Sequence, residues 1–394
     1  MAMSLAGGNA ILPKHFYEAY LKDPQKFNQS KGLLLGSGPY KLIDPLNWSP
    51  DKGNVELVRN ERYWGDVQPA YNRLLWKIIQ NDSARLTTYR NGEIDSYTAR
   101  PVEYQGLKND GQIMAKSQLF EYMSLGRGYK YITWNQERGG KPTRFADKRV
   151  RQAMTYLTDV SRINDEVYYG YAEPAVSPFG NHSKQHDSNL QPYRFDLEKA
   201  KQLLKEAGYA DKNGDGLLED SAGQPFEFKL IYTQSVEDYK RLVLLLKDTY
   251  ARAGVKLIPS PQEFPVLVES LDKKDFDAGM LGWGGGLETD LYQIFHSSQA
   301  LNKGDNRNSY KNPELDKLIE QARRTVDEGK RMPLWQQAEH IIYEDQPYTF
   351  LSRTKELLLV DKRIANVQMT KTGLNLGNLP MENYVPVEKQ KYTQ

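Results

Sequence analysis

From Phe145 onward, apolar residues recur at helical spacing in one segment and in short unbroken runs in the next, and that alternation leaves few architectures open. Val150, Ala153, Met154, Leu157, Val160, Ile163 and Val167 form one stripe at spacings of three and four, which predicts an amphipathic helix. Asp196 is placed to cap a second helix, with Ala200, Leu203, Leu204 and Ala207 inward and Gly208 at its end. A third is expected from about Val236 to Ala253, with Tyr239, Leu242, Val243 and Leu246 inward and Gly254 after it. Two more are expected: one from Asn312-Pro313, with proline in the first turn, and one from about Pro333 to Tyr343. Between them Phe226 to Tyr232, Val255 to Pro259 and Phe276 to Trp283 read as strands, and Leu357 to Val360 as a late strand. Strands alternating with helices in this way imply an α/β fold with helices packed on a sheet.

The first part of the chain is richer in strands. Gly38 to Leu42 leads into one, and Asn54 to Arg59 alternates apolar and polar residues as a half-buried strand does. Leu74 to Ile79 is more apolar and reads as a strand buried on both faces. Ser83 to Asn91 reads as a short helix capped by Ser83, and Ile94 to Tyr97 returns as a strand, so a mixed sheet is expected here too. Gly139-Gly140-Lys141-Pro142 punctuates the change of character. A return crossing is expected near Thr349 to Lys355. The expected organisation is a first lobe of residues 9–130 and 355–394, and a second, helix-rich lobe of residues 131–354, joined by two hinge crossings. Met1 to Gly8 has neither the charged start nor the long apolar run of a signal peptide, and is read as following a missing N-terminal section that leaves the first lobe incomplete.

Composition narrows the functions. Lys and Arg number 53 against 51 Asp and Glu, a formal charge of +2, so no overall field draws the chain to nucleic acid. With no cysteine, disulfides, thiolate nucleophiles and thiolate metal sites are all excluded. Tyrosine is abundant, 26 against 12 phenylalanines, and its apolar ring with a polar tip suits half-buried surfaces and ligand clefts. Neither a Gly-x-Ser-x-Gly elbow nor a phosphate-binding Walker loop occurs.

Seven motifs then follow in order: Gly36-Ser37-Gly38-Pro39-Tyr40; Val58-Arg59-Asn60-Glu61-Arg62-Tyr63-Trp64-Gly65; Asn91-Gly92-Glu93-Ile94-Asp95; Phe145 to Ala153; Asp196 to Tyr209; Phe276 to Trp283; and Asn312 to Ala322. Together they resemble the extracellular solute-binding proteins of family 5, the oligopeptide- and dipeptide-binding receptors of ABC transporters. The resemblance implies a periplasmic-binding-protein-like fold of class II, with two lobes of mixed sheets. It implies a non-enzymatic protein that captures oligopeptides or a related small solute in an interlobe cleft. It would work as a monomer with permease subunits, in the periplasm or membrane-associated outside the cytoplasm, a signal or lipid anchor belonging to the missing section. A carboxylate-based hydrolase, or a ligand-sensing receptor of the same fold, are the alternatives.

Several residues are candidates for the site. Trp283 offers a flat wall, and Gly284, Gly285 and Gly286 permit close backbone approach and positive φ. Tyr131 and Trp134, near the first crossing, are expected to line the cleft, Trp134 stacking on the ligand. In peptide-binding relatives the third residue after this Trp is typically an aspartate for the peptide amine, and some carry an arginine three residues before it. Here those positions are Gly286 and Met280, so Glu288 or Asp290 is the expected substitute. Asp211, Asn213, Asp215 and Glu219, with Gly216 sixth in the series, resemble the start of a calcium loop, whose twelfth position, Ala222, lacks the closing carboxylate. No other cofactor is expected. His182 and His186 have a zinc-like spacing, but Pro178, Gly180 and Asn181 around them indicate a loop.

Overall fold

After a helix at Lys14–Leu21 come three antiparallel strands, β1 (Tyr40–Leu42), β2 (Asn54–Arg59) and β3 (Arg73–Lys77), in that spatial order. The computed structural model describes residues 12–23, 25, 27, 35–79, 81–301, 304–377 and 380–391, so the reading of Met1 to Gly8 lies outside the described residues. Asn60 ties the turn after β2 to Gly38, its amide donating to the carbonyl at 2.8 Å, and the Trp64 indole donates to Ser37 O at 3.1 Å. The expectation of a doubly buried strand at Leu74–Ile79 is overturned. Leu75, Trp76 and Ile78 are 40%, 37% and 49% exposed, because β3 is the edge of this small sheet.

A second sheet follows. β4 (Ser96–Thr98) and β5 (Ser117–Tyr122) both pair antiparallel with β15 (Glu356–Asp361), which lies between them. β4 and β5 therefore run parallel to each other with β15 between them, while β3 and β4, the strands read as flanking the helix from Ser83, lie in different sheets. The expected mixed sheet of this part is two antiparallel sheets, because a strand from the chain's end enters the gap. The helix before β4 spans Asp82–Arg90, and its cap is Asn81, whose side chain accepts from Ala84 N at 2.9 Å, rather than Ser83.

By contacts the chain divides into two units: a continuous one, Met123–Lys355, and a split one made of the residues up to Tyr122 and from Glu356 on. The chain passes between them at 122–123 and 355–356. The first boundary differs from the expected 130–131, which would cut β6 (Tyr129–Trp134) in two.

The continuous unit is built on a five-stranded mixed sheet, ordered β11 (Lys256–Gln262), β10 (Glu227–Thr233), β12 (Ala278–Trp283), β6 and β13 (Tyr348–Phe350). β11, β10 and β12 are parallel, while β6 is antiparallel to both its neighbours. Strand alternation sorts the side chains to two faces. Ile132, Trp134, Phe228, Leu230, Tyr232, Ala278 and Met280 pack with Val150, Met154, Leu204, Leu242 and Leu246. Tyr129, Tyr131, Tyr348 and Phe350 pack with Leu315, Ile319, Trp335 and Ile342 on the other face. The stripe from Val150 to Val167 is buried as expected, but belongs to two helices, Lys148–Tyr156 and Val160–Glu166, the second capped by Asp159. Asp196 and Asn312 cap the helices Leu197–Glu206 and Pro313–Arg324. The last helix, Glu328–Asp345, begins five residues before Pro333 because Asp327 caps it, accepting from Lys330 N. Among the described residues no helix is long and apolar enough to cross a membrane.

Candidate functional site

Because β11, β10 and β12 are parallel, their carboxyl ends emerge along one edge of the sheet, where open α/β folds place their ligands. β11 ends at Gln262, β10 at Thr233 and β12 at Trp283, and β6 starts beside them at Tyr129. The Thr233 and Ser235 hydroxyls are 2.9 Å apart, and Gln234 N donates to Gln262 O at 2.9 Å. The Gln262 Oε1 atom is buried with no hydrogen-bond partner among the described residues. These polar strand ends were not singled out from sequence, since only the pairing of β10 with β12 brings them beside Trp283.

Trp283 is half-buried, its ring parallel to Tyr131 with centroids 6.3 Å apart, and Tyr131 stacks on Tyr348 at 4.2 Å. The three rings make an aromatic ladder across β12, β6 and β13, in which Tyr131 and Tyr348 are buried, so Tyr131 supports Trp283 from behind and, contrary to expectation, does not line a cleft. Trp134 does not join it. Three residues along β6 from Tyr131, it faces the opposite side of the sheet, where it is 0% exposed between Phe145 and Phe228. Its indole N–H donates to Thr349 Oγ1 at 3.0 Å. A ring with no exposed face cannot stack on a solute, so the expected role of Trp134 is overturned.

The glycines work differently from expectation. None of Gly284, Gly285 and Gly286 has a positive φ. A Cβ on Gly285 would lie 2.0 Å from Gly126 O, and a Cβ on Gly128 would lie 2.0 Å from Trp283 O. The segments 126–128 and 283–286 thus cross backbone on backbone, and glycine at 285 and 128 is required by that crossing. Gly284 and Gly286 are not crowded in this way.

Glu288 and Asp290 are both engaged. Glu288 accepts from Arg331 at 2.7 and 3.0 Å. Burial pushes its carboxyl up, but the Arg331 hydrogen bonds and charge outweigh it, so the group is held below its ordinary value. Asp290 pairs with Arg323 at 3.3 Å and accepts from Tyr292 N at 3.2 Å. Neither is a free carboxylate for a peptide amine, contrary to expectation. The zinc-like histidines also part: His186 is 2.7 Å from Glu339, and His182 lies 3.6 Å from Glu173.

The acidic loop lies between the helix Leu197–Glu206 and β10. The carboxylates of Asp211, Asp215 and Glu219 each place an oxygen within 4.8 Å of the others. Asp211 accepts from Gly214 N at 2.8 Å and Gly216 N at 3.0 Å, and Asn213 Oδ1 accepts from Asp215 N at 2.9 Å. Asp211 and Asp215 are exposed, whereas Glu219 is buried and accepts from Lys212 N at 2.8 Å. Such an all-oxygen set suits a hard cation.

Known proteins share this sequence pattern and fold. The sequence model of the bacterial extracellular solute-binding proteins, family 5 Middle, matches residues 5–304. The oligopeptide-binding protein AppA of Bacillus subtilis is 32% identical over 352 residues, which cover 87% of this chain and 61% of AppA. The structure of AppA in complex with a nonapeptide is similar at a TM-score of 0.80 and 29% identity, covering 96% of this chain and 72% of that one. NikZ from Campylobacter jejuni in complex with Ni(L-His) is similar at a TM-score of 0.78 and 26% identity, covering 94% and 72%. The chain spans about three fifths of the length of the first curated relatives it matches, 61% and 63%.

Proposed function

This chain belongs to the bacterial extracellular solute-binding proteins of family 5, and on that premise we propose that it is the solute-capturing component of an ABC importer, taking a peptide-class solute. The observation that carries the reading is Trp283, half-buried at the carboxyl end of the parallel strands, backed by the buried rings of Tyr131 and Tyr348 and beside the exposed backbone of Gly284 and Gly286. Aromatic faces hold apolar parts of a guest, and backbone groups bind a main chain whatever its side chains. AppA, solved with a nonapeptide, supports the peptide class. Capture needs no bond to be made or broken. The carboxylates that a hydrolase would use at this edge, Glu288 and Asp290, are each held by an arginine. In this reading the protein acts as a monomer outside the cytoplasmic membrane and delivers its solute to permease subunits.

The test is native mass spectrometry of the purified chain, searching for solute that copurifies. Peptide masses are the expected result. Cleavage of added peptides, with none retained, would instead establish the hydrolase. The acidic loop is part of the same proposal as a structural calcium site, in which Asp211, Asp215 and Glu219, with Asn213, would hold the ion and brace the connection into β10.

A further inference from the structure

Gln185 is 2% exposed, and its side-chain amide meets both backbone groups of one residue 104 positions further along the chain. Its Nε2 atom donates to Thr289 O at 2.9 Å, and its Oε1 atom accepts from Thr289 N at 2.6 Å. A neighbouring strand would satisfy a residue in the same way, and backbone groups removed from water need such partners. Here no strand does so. Residues 284–290 form neither helix nor strand. Among the described residues, no backbone-to-backbone hydrogen bond outside the strand pairing falls on them.

Side chains hold this loop instead. Glu288 is tied to Arg331 and Asp290 to Arg323, but all four side chains are partly exposed, where water screens an ion pair. Gln185 is the buried partner, and removing it would strand both Thr289 groups. The clamp also has a fixed base. Ser183 N donates to Gly180 O at 2.8 Å and His186 N to Ser183 O at 3.2 Å, so Gln185 sits in a tightly turned segment. The next two residues bind that segment to the helix Glu328–Asp345. His186 Nδ1 is 2.7 Å from Glu339 Oε1, and Asp187 N donates to Glu339 Oε2 at 2.8 Å. The Glu339 side chain is 0% exposed and that of His186 6%. The loop that leaves Trp283 is therefore held from a helix it does not adjoin in sequence.

Resting on the peptide-receptor reading, we infer that Gln185 is a positioning residue of the solute site. Its amide fixes the path of residues 284–290, and with it the exposed backbone of Gly284 and Gly286 that meets the guest. Gln185→Glu is the discriminating variant. A protonated carboxyl offers one donor and one acceptor, as the amide does, whereas a carboxylate only accepts and faces Thr289 O. Burial beside a carbonyl oxygen disfavours the charged form, so the introduced group should take up its proton between about pH 7 and pH 5. Calorimetry of the whole chain with Ala-Ala-Ala should find this variant about 10-fold weaker than wild type at pH 7 and within about 2-fold at pH 5. Gln185→Met, which fills the same space without the hydrogen bonds, should stay about 10-fold weaker at both. His186, Glu288 and Asp290 are common to all three proteins, so the wild type's own pH dependence is the baseline. Hydrogen exchange on the free proteins follows the clamp directly. The Thr289 amide should be protected in wild type and exposed in Gln185→Met, which also serves if the Gln185→Glu chain does not fold at pH 7. Wild-type affinity in both variants, even with lowered melting temperatures, would make Gln185 structural only and overturn the proposal. So would a Gln185→Glu deficit equal at the two pH values, or an unprotected Thr289 amide in the wild type. A wild type that keeps this amide protected but binds no Ala-Ala-Ala would overturn the peptide reading, and the role at a peptide site with it.

Discussion

Trp283 is half-buried and has Tyr131 against one side of its ring, which makes it the natural anchor for a guest. Trp283→Ala should weaken solute binding by about 1–3 kcal/mol, the scale of one lost aromatic anchor. Calorimetry with the copurified solute measures it, and unchanged affinity in a folded variant would remove Trp283 from the site. Lys130 makes a second, independent prediction, on stability. Burial foremost, and then the Arg127 charge, push its amine down from 10.5 to about 8, Asp238 opposing. Between those pH values the unfolded chain holds the proton that the folded chain has lost, so this group's contribution to stability rises with pH there and is lowest below about 8. Wild type should therefore gain on Lys130→Met in melting temperature between pH 7 and pH 10. A constant gap would mean that Lys130 titrates normally.

At the scale of elements, the crossing of segments 126–128 and 283–286 sets the shape of the site's rim. Gly285→Ala must push Gly126 O away from a Cβ 2.0 Å distant, both partners being backbone. A loss of about 1–3 kcal/mol is expected, as for overpacking elsewhere, measurable by denaturant unfolding. Gly284→Ala, with nothing within 4 Å, is the control that should cost much less. For the acidic loop, added calcium should raise the melting temperature, with about 2.7 kcal/mol gained at a hundredfold excess over the dissociation constant. Asp215→Asn should blunt the gain, and a melting curve indifferent to calcium would retire the site. Much of this was legible in the sequence because it is local. Asp196 caps the helix it was expected to cap, a helix starts at Asn312-Pro313 as expected, and the apolar stripes face the core. What was not legible depends on partners distant in the chain. The stripe from Val150 to Val167 keeps its period across the break at Asp159, so periodicity alone hides the second helix start. Trp134 and Trp283 are alike in type and differ in where the pairing of β6 with β12 puts them: on opposite sheet faces and at opposite ends of the two strands. Gly126-Arg127-Gly128 precedes a strand like any turn, and only the fold shows that it meets Gly285.

For the molecule as a whole, the two units differ in how they depend on the chain's continuity. The split unit cannot form its second sheet from the residues before Tyr122 alone, because β15 supplies the strand between β4 and β5. The continuous unit draws its apolar clusters entirely from within Met123–Lys355, so residues 123–355 expressed alone should fold and melt cooperatively. The position of the boundary is itself testable. A fragment of residues 131–354, cut where the sequence suggested, loses the pairing of Lys130 with Gly282 and of Tyr129 with Trp283. It also loses the hydrogen bond from Leu351 N to Lys130 O at 2.9 Å, and the buried Tyr129 ring that packs on Phe350 and beneath Arg353. Removing a buried aromatic side chain costs about 3–5 kcal/mol, so the shorter fragment should melt on the order of 10 °C lower. If the two fragments melted together, β6 would be contributing nothing at its start, and the strand-end edge on which the proposed site is built would lack the rigid support assigned to it.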